Sequence, residues 1–242
     1  MRHHRTLFGC LCVALCAIAL SACGGAPPPP AEPTPEPALR KSRGPKMQMQ
    51  SELGSIDQAE VEKVLQKAQG KLQECHKRGL KHTDYLAGDV KIFLRISEQG
   101  RVKYAYLEES TLGDRDTERC MLAALEAQAW PAPEGGEAEV RKGLGFDAPG
   151  DVRAPTSWPS DKIVQALGKA EDELHKCRHG VSGTFKATVY VEPDGKHGKV
   201  HAVGVTPPNK DGSDKVDCMV RALKSMKVPS PGSYAAKVTF SL

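Results

Sequence analysis

Cysteine, histidine and paired carboxylates are the side chains here that could do chemistry, and the cysteines say most. Cys75, Cys120, Cys177 and Cys218 lie well beyond the chain start. Two thiols can close a disulfide in an oxidising compartment or, as thiolates, hold a metal. The metal alternative rests on His175-Lys-Cys177-Arg-His179, and on Cys75-His76 with His82. On a helix His175 and His179 share a face while Cys177 points nearly opposite, and neither C-x-x-C nor H-E-x-x-H is present. No metal site is therefore expected, and the histidines are read as solvated helix ends. Glu108-Glu109 and Asp114/Asp116 are acid pairs near turns, where charged groups usually face solvent. The chain lacks a G-x-S-x-G elbow, a P-loop, a G-x-G-x-x-G turn and an H-x-E zinc pattern. No catalytic or cofactor-binding residue is assigned; an enzyme would need a cleft between the repeats described below, with titratable groups converging in it.

A fifth cysteine has another chemistry. Met1-Arg-His-His-Arg5 is a basic start, and Leu7 to Leu20 is an apolar stretch too short to span a bilayer. The following Leu20-Ser21-Ala22-Cys23 resembles the bacterial lipobox. The resemblance implies removal of residues 1–22, diacylglycerol on the Cys23 thiol and acylation of the new amino terminus. Several acyl chains, at ~0.8 kcal/mol per buried methylene, hold a protein stably on a membrane. Gly24 stands where an Asp would favour inner-membrane retention, so the outer membrane is expected, with the domains on its periplasmic side. Residues 23–54 are the tether: PPPPAEPTPEP at 27–37 holds seven prolines in eleven positions. Such a segment buries too little apolar surface to fold and favours extended polyproline II.

The chain carries 34 basic and 30 acidic residues, a net charge of +4 over 242 residues. That near-balance argues against nucleic acid, whose phosphates need a basic stripe.

The remainder is one unit written twice. Val61, Val64, Leu65, Ala68, Leu72 and Cys75 share one helical face, and Ile163, Ala166, Leu167, Ala170, Leu174 and Cys177 repeat it. Val90, Ile92, Leu94 and Ile96 alternate as a half-buried strand, as do Phe185, Ala187, Val189 and Val191. Glu98-Gln-Gly100-Arg and Pro193-Asp-Gly195-Lys supply the turns. Further on, Cys120 matches Cys218, Leu125 matches Leu223, and Val140 matches Val238. The expected fold is α+β: two tandem small domains, each helix-strand-strand-helix-strand, with the helices on one face of a small sheet. Their spans are 55–147 and 160–242, with a linker at 148–159; Pro131 and Pro229 end the second helices, and Trp158 is expected at the junction. Four cysteines allow three pairings. Duplication favours Cys75–Cys120 and Cys177–Cys218, since each unit then closes its own core.

Ser110-Thr111-Leu112-Gly113-Asp114, Glu118-x-Cys120, Trp130-Pro131-x-Pro133-x-Gly135-Gly136, Val140 and Phe146 resemble a known family. It is the C-terminal domain of myxobacterial gliding-motility proteins of the AgmX/PglI type, itself similar to the TonB C-terminal domain. Repeat one carries the motif, with Trp130 in the place of the family's Phe. Repeat two lacks the Ser-Thr-Leu segment and the Gly-Gly pair. The resemblance implies a small α/β module of the cell envelope that binds other envelope components, with no catalytic residue to transfer; with the lipobox, the expected function is a non-enzymatic outer-membrane lipoprotein that binds an envelope protein, in a motility or transport assembly. Physically, the last strand of each unit offers an edge for strand addition, and Val238, Thr239 and Phe240 are the better candidate because little chain follows them. Peptidoglycan contact by a structural spacer is an alternative: repeat two (150–242) has 14 basic and 10 acidic residues, repeat one (56–149) 14 and 17. Those opposite net charges would equally favour packing of the repeats on each other. A TonB-like transport component is a third reading, weakened by the lipobox.

Overall fold

Asp57 starts the first helix by accepting the free N–H groups of Ala59 and Glu60 at 2.8 and 3.1 Å. Helix α1 (Gln58–Leu80) then buries Val61, Leu65, Ala68, Leu72 and Cys75 along the stripe that the spacing predicts. The computed structural model describes residues 53–168 and 170–242, all within one compact unit. The signal segment, Cys23 and the tether up to residue 52 lie outside the described residues. The last two expected tether residues do not hang free: Gly54 donates to Glu137 O at 2.7 Å, and Leu53 bridges the same residue.

After α1 come β1 (Gly88–Ile96), β2 (Val102–Ser110), α2 (Arg115–Glu126) and β3 (Ala138–Phe146). They form an antiparallel sheet of order β2-β1-β3. Val90, Ile92, Leu94 and Ile96 point from β1 into the core beneath α1 and α2, as the alternation requires. The second copy runs α3 (Asp161–Leu167), α4 (Glu171–Arg178), β5 (Lys186–Asp194), β6 (His197–Thr206), α5 (Lys210–Ser213), α6 (Val216–Lys224), β7 (Lys227–Pro229) and β8 (Ala236–Ser241). The strands equivalent to β2, β1 and β3 again lie side by side, as β6-β5-β8. Gly100 and Gly195 both take positive φ, +70° and +60°, in the two hairpin turns.

Repeat two departs from the expected pattern in three places. Its first helix is broken into α3 and α4. The linker contributes a strand: β4 (Thr156–Ser157) runs parallel to β8, so the second sheet has five strands, β4-β8-β5-β6-β7. Trp158 packs on the core of repeat two rather than sealing the junction. The second helices also end before their prolines, α2 at Glu126 and α6 at Lys224, while Pro229 belongs to β7.

The disulfides are Cys75–Cys120, joining α1 to α2, and Cys177–Cys218, joining α4 to α6. This is the within-repeat pairing that the duplication favours, and it consumes the thiolates that the metal alternative needs. Across the 45-residue separation of the first pair, chain entropy assigns each such closure about 4 kcal/mol. Replacing Cys75 and Cys120 together by alanine is therefore expected to lower unfolding free energy by about 4 kcal/mol, read from urea denaturation followed by circular dichroism.

Candidate functional site

The outward faces of the two sheets differ in chemistry. On repeat one that face carries Lys91, Phe93 and Arg95 from β1, with Glu139 and Arg141 opposite on β3. Arg141 lies over the Phe93 ring at 4.6 Å and pairs with Glu108 and Glu139, each at 2.8 Å. Phe93 itself is buried against Tyr104 and Tyr106 of β2, at ring distances of 5.9 and 5.0 Å, so charged side chains surround a small aromatic stack. On repeat two the matching positions are Thr188 and Tyr190 on β5, Ala202 and Gly204 on β6, and Lys237 and Thr239 on β8. Only one of these six positions, Lys237, carries a charge, and repeat one covers the face around Thr188, Tyr190, Ala202 and Gly204, leaving Thr239 exposed. Tyr190 and Ala202 belong to the hydrophobic core of repeat one, not of their own repeat.

The seam is built by residue pairs of distinct character. Tyr190, fully buried, donates its hydroxyl to Ala87 O at 2.9 Å and accepts from Ala87 N at 3.3 Å. Burial holds that phenol up at about 12, against the pull of the Ala87 bond. Lys237 reaches the same carbonyl at 2.6 Å and lies 5.2 Å from the Tyr190 ring centre; burial lowers its ammonium to about 8, opposed by nearby Asp89. Tyr85 donates to Glu192 at 2.7 Å, and burial followed by that carboxylate pushes its phenol up. Glu192 also meets His201 at 3.2 Å, whose other ring nitrogen lies 2.8 Å from His82 O. Arg115 pairs with Asp217 at 2.7 Å, which holds that carboxyl below its usual range. This ion pair runs counter to the net charges: the negative repeat supplies the cation and the positive repeat the anion.

Two glycines set the closeness of the seam. A Cβ on Gly113, whose φ is +77°, would lie 2.7 Å from Thr188 Cγ2. A Cβ on Gly204 would lie 2.4 Å from Glu118 Oε1. Glu118 is fully buried, with Oε1 accepting from the Ser110 hydroxyl at 2.6 Å and from Gly113 N at 3.4 Å. The Ser110 to Glu118 motif is thus a folded-in hydrogen-bond cluster, and it meets repeat two through Ser110 O, which accepts from the Thr188 hydroxyl at 3.3 Å.

A cleft of about 420 Å³ opens along the seam beside the first disulfide, lined by Arg78, His82, Asp114, Asp116, His201 and Lys224 among others. This is the place where an enzymatic reading would find its groups. Several of them already serve the fold. Asp114 caps α2 through Thr117 N at 3.1 Å and the Thr117 hydroxyl at 2.5 Å. Asp116 pairs with Arg119 at 3.0 Å, His201 is held between Glu192 and His82, and Arg78 folds onto the sulfurs of Cys75 and Cys120. Of the other histidines, His175 and His179 are exposed as expected, but His76 is buried: the turn of α1 facing the core lets it bond Leu86 O at 2.9 Å. Tyr190 and Gly204 carry no motif, and Glu118, part of the Glu118-x-Cys120 motif, has no role that the motif alone assigns. The signal for them was the nearly uncharged outer face of β5 and β6.

The expected edge residues lie on β8. Val238 and Phe240 point into the core and pair with Val189 and Ala187 of β5. Ala235 O and Lys237 O bond to Thr156 N and Trp158 N on the other side. Backbone groups alternate along a strand, so the N–H and C=O of Thr239 also face that outer side, beyond the end of β4. Edge strand β3 likewise turns alternate backbone groups outward past Glu137.

Compared with known proteins, the chain matches no family model, no curated protein and no solved structure. Among the described residues no helix is long and apolar enough to cross a membrane.

Gly204→Ala is expected to destabilise the protein by about 1–3 kcal/mol, because the added methyl must displace Glu118 or part the seam. Gly143→Ala, whose Cβ meets nothing within 4 Å, serves as the control and should stay within about 0.5 kcal/mol in the same thermal melts.

Proposed function

We propose that this chain is a non-enzymatic lipoprotein of the outer membrane whose paired repeats bind an extended segment of another envelope protein at the free edge of β8. The observation that carries this reading is the contrast between the two edges. Strand β3 bears Glu139, Arg141 and Lys142, and charged side chains, lysine above all, are the usual means of blunting an edge. The part of β8 that no described strand pairs on its outer side, Val238-Thr239-Phe240-Ser241, bears no charge. Its inner face is anchored by Val238 and Phe240, so the template for an incoming strand is already ordered. Two disulfides support an extracytoplasmic location, since such bonds persist in oxidising compartments. Lipid on Cys23 would then tie the unit to the membrane, and the likeness to AgmX/PglI-type domains points to motility or transport assemblies as the setting.

Thr239→Pro tests the reading. Proline removes the outward N–H while leaving the β5 pairing through Val238 and Phe240 in place. Crosslinking co-purification of the full-length lipoprotein from native envelopes should recover a protein partner with the native chain. The Thr239→Pro variant should lose at least tenfold of that yield, whereas Thr239→Val, which gives up the same hydroxyl bond to Thr188 at 2.9 Å but keeps the N–H, should retain it. Equal recovery by the native and Thr239→Pro chains, or recovery of wall polymer alone, removes the edge from β8 and favours the peptidoglycan-contacting spacer.

A further inference from the structure

The seam holds one buried carboxyl that the strand-edge reading does not use. Glu118 sits at the start of α2 with no exposed surface, and its Oε2 has no hydrogen-bond partner among the described residues. Across the seam it meets Gly204 of β6, a position with no side chain and no charge. In repeat two the equivalent residue is Val216, also buried. An apolar side chain therefore serves the fold at this position, and the carboxyl is peculiar to the copy that covers the other.

The charged and titratable groups around it are few. On its own helix start stand Asp114 and Arg115; Tyr190 faces it from β5; Asp217 of α6 already engages the Arg115 guanidinium. Gly204 and Ala202 of β6 bring no charge. A neutral acid in this place leaves one hydrogen bond unmade, whereas an ion there is stripped of water without a paired cation, which costs several times more. We propose that Glu118 is a proton-operated latch between the repeats: the neutral acid holds α2 against β6, and its ionisation loosens the seam and uncovers Tyr190 and Ala202.

Burial pushes the Glu118 carboxyl up to about 7, against the Ser110 hydroxyl, Arg115 and the Gly113 amide, which all pull it down. A group raised in the closed state stabilises that state fully below its free value of 4.5, and the contribution is gone once pH has risen through about 7. The seam is thus tightest in acid and loosest from neutrality upward. Nothing in the latch depends on what binds at β8.

Hydrogen–deuterium exchange of the full-length chain at pH 5 and pH 8, corrected for intrinsic amide rates, reads the opening directly. Segments 110–118 and 200–206 should open more at pH 8 by a factor on the order of tens. The Glu118→Gln chain should differ between the two pH values by no more than about twofold, the share left to Lys237 at about 8, and β3, away from the seam, should respond in neither. A native chain without pH response, or a Glu118→Gln chain that responds as strongly as the native one, overturns the latch. Should the variant not fold, carbon-13 NMR of glutamate-labelled native protein decides: a Glu118 midpoint near 7 supports the latch, and one in the ordinary carboxylate range removes it.

Discussion

The structure depends on a sheet face that lacks the charges water would ask of it. Thr188, Tyr190, Ala202 and Gly204 could not stand exposed without an apolar patch around the Tyr190 ring. Repeat one supplies the cover, and its geometry follows from that task. The loop from Ala87 brings a carbonyl to Tyr190 and to Lys237, Gly113 yields to Thr188, and the Glu118 carboxyl fills the space that a side chain at Gly204 would need. The sheet of repeat two is consequently buried on both sides, by its own helices and by its twin. This explains how repeat two tolerates a first helix broken into seven- and eight-residue pieces, where repeat one has 23 residues in one run. Short helices are marginal on their own and are held by packing.

The disulfides act within this frame rather than across it. Each joins the two helices of its own repeat, so neither crosses the seam. The covalent staples make each half robust and leave the contact between halves, among the described residues, to hydrogen bonds, the Arg115–Asp217 ion pair and packing. That division lets the halves respond separately to chemistry: reduction acts inside a repeat, ionisation between repeats.

How much of this was legible in the sequence depends on periodicity. The helical stripe from Val61 to Cys75 and the alternation from Val90 to Ile96 each carry a repeat of known period, and their burial follows. Duplication made the cysteine pairing readable, since matched positions close matched cores. The break between Leu167 and Glu171 was not readable, because the apolar spacing continues through it. Strand β4 escaped because two residues, Thr156 and Ser157, have no pattern of their own; Ala235 and Lys237 hold them. The burial of His76 and Glu118 was hidden for a more general reason. Polar residues are placed by partners distant in sequence, here Leu86 O and Ser110 on one side and Gly204 on the other. Even so, the outer positions of β5 and β6 announced a covering layer by what they lacked.

Duplication also bears on why the two copies part company. In one repeat alone, the same strand edge and the same sheet face would both need protection from unwanted pairing. With two copies the duties separate. Repeat one keeps a charged outer face and a charged edge on β3, and spends its α2 start on covering the neighbour. Repeat two, shielded on its face, can leave Val238 to Ser241 without charge. An edge backed by Val238 and Phe240 on one side and by a covered face on the other has little freedom left to lose. On the proposed reading, that rigidity lowers the ordering cost an extended partner segment meets on pairing. The seam then matters to binding through stiffness alone, since Lys237, two residues from Thr239, is bonded across it to Ala87.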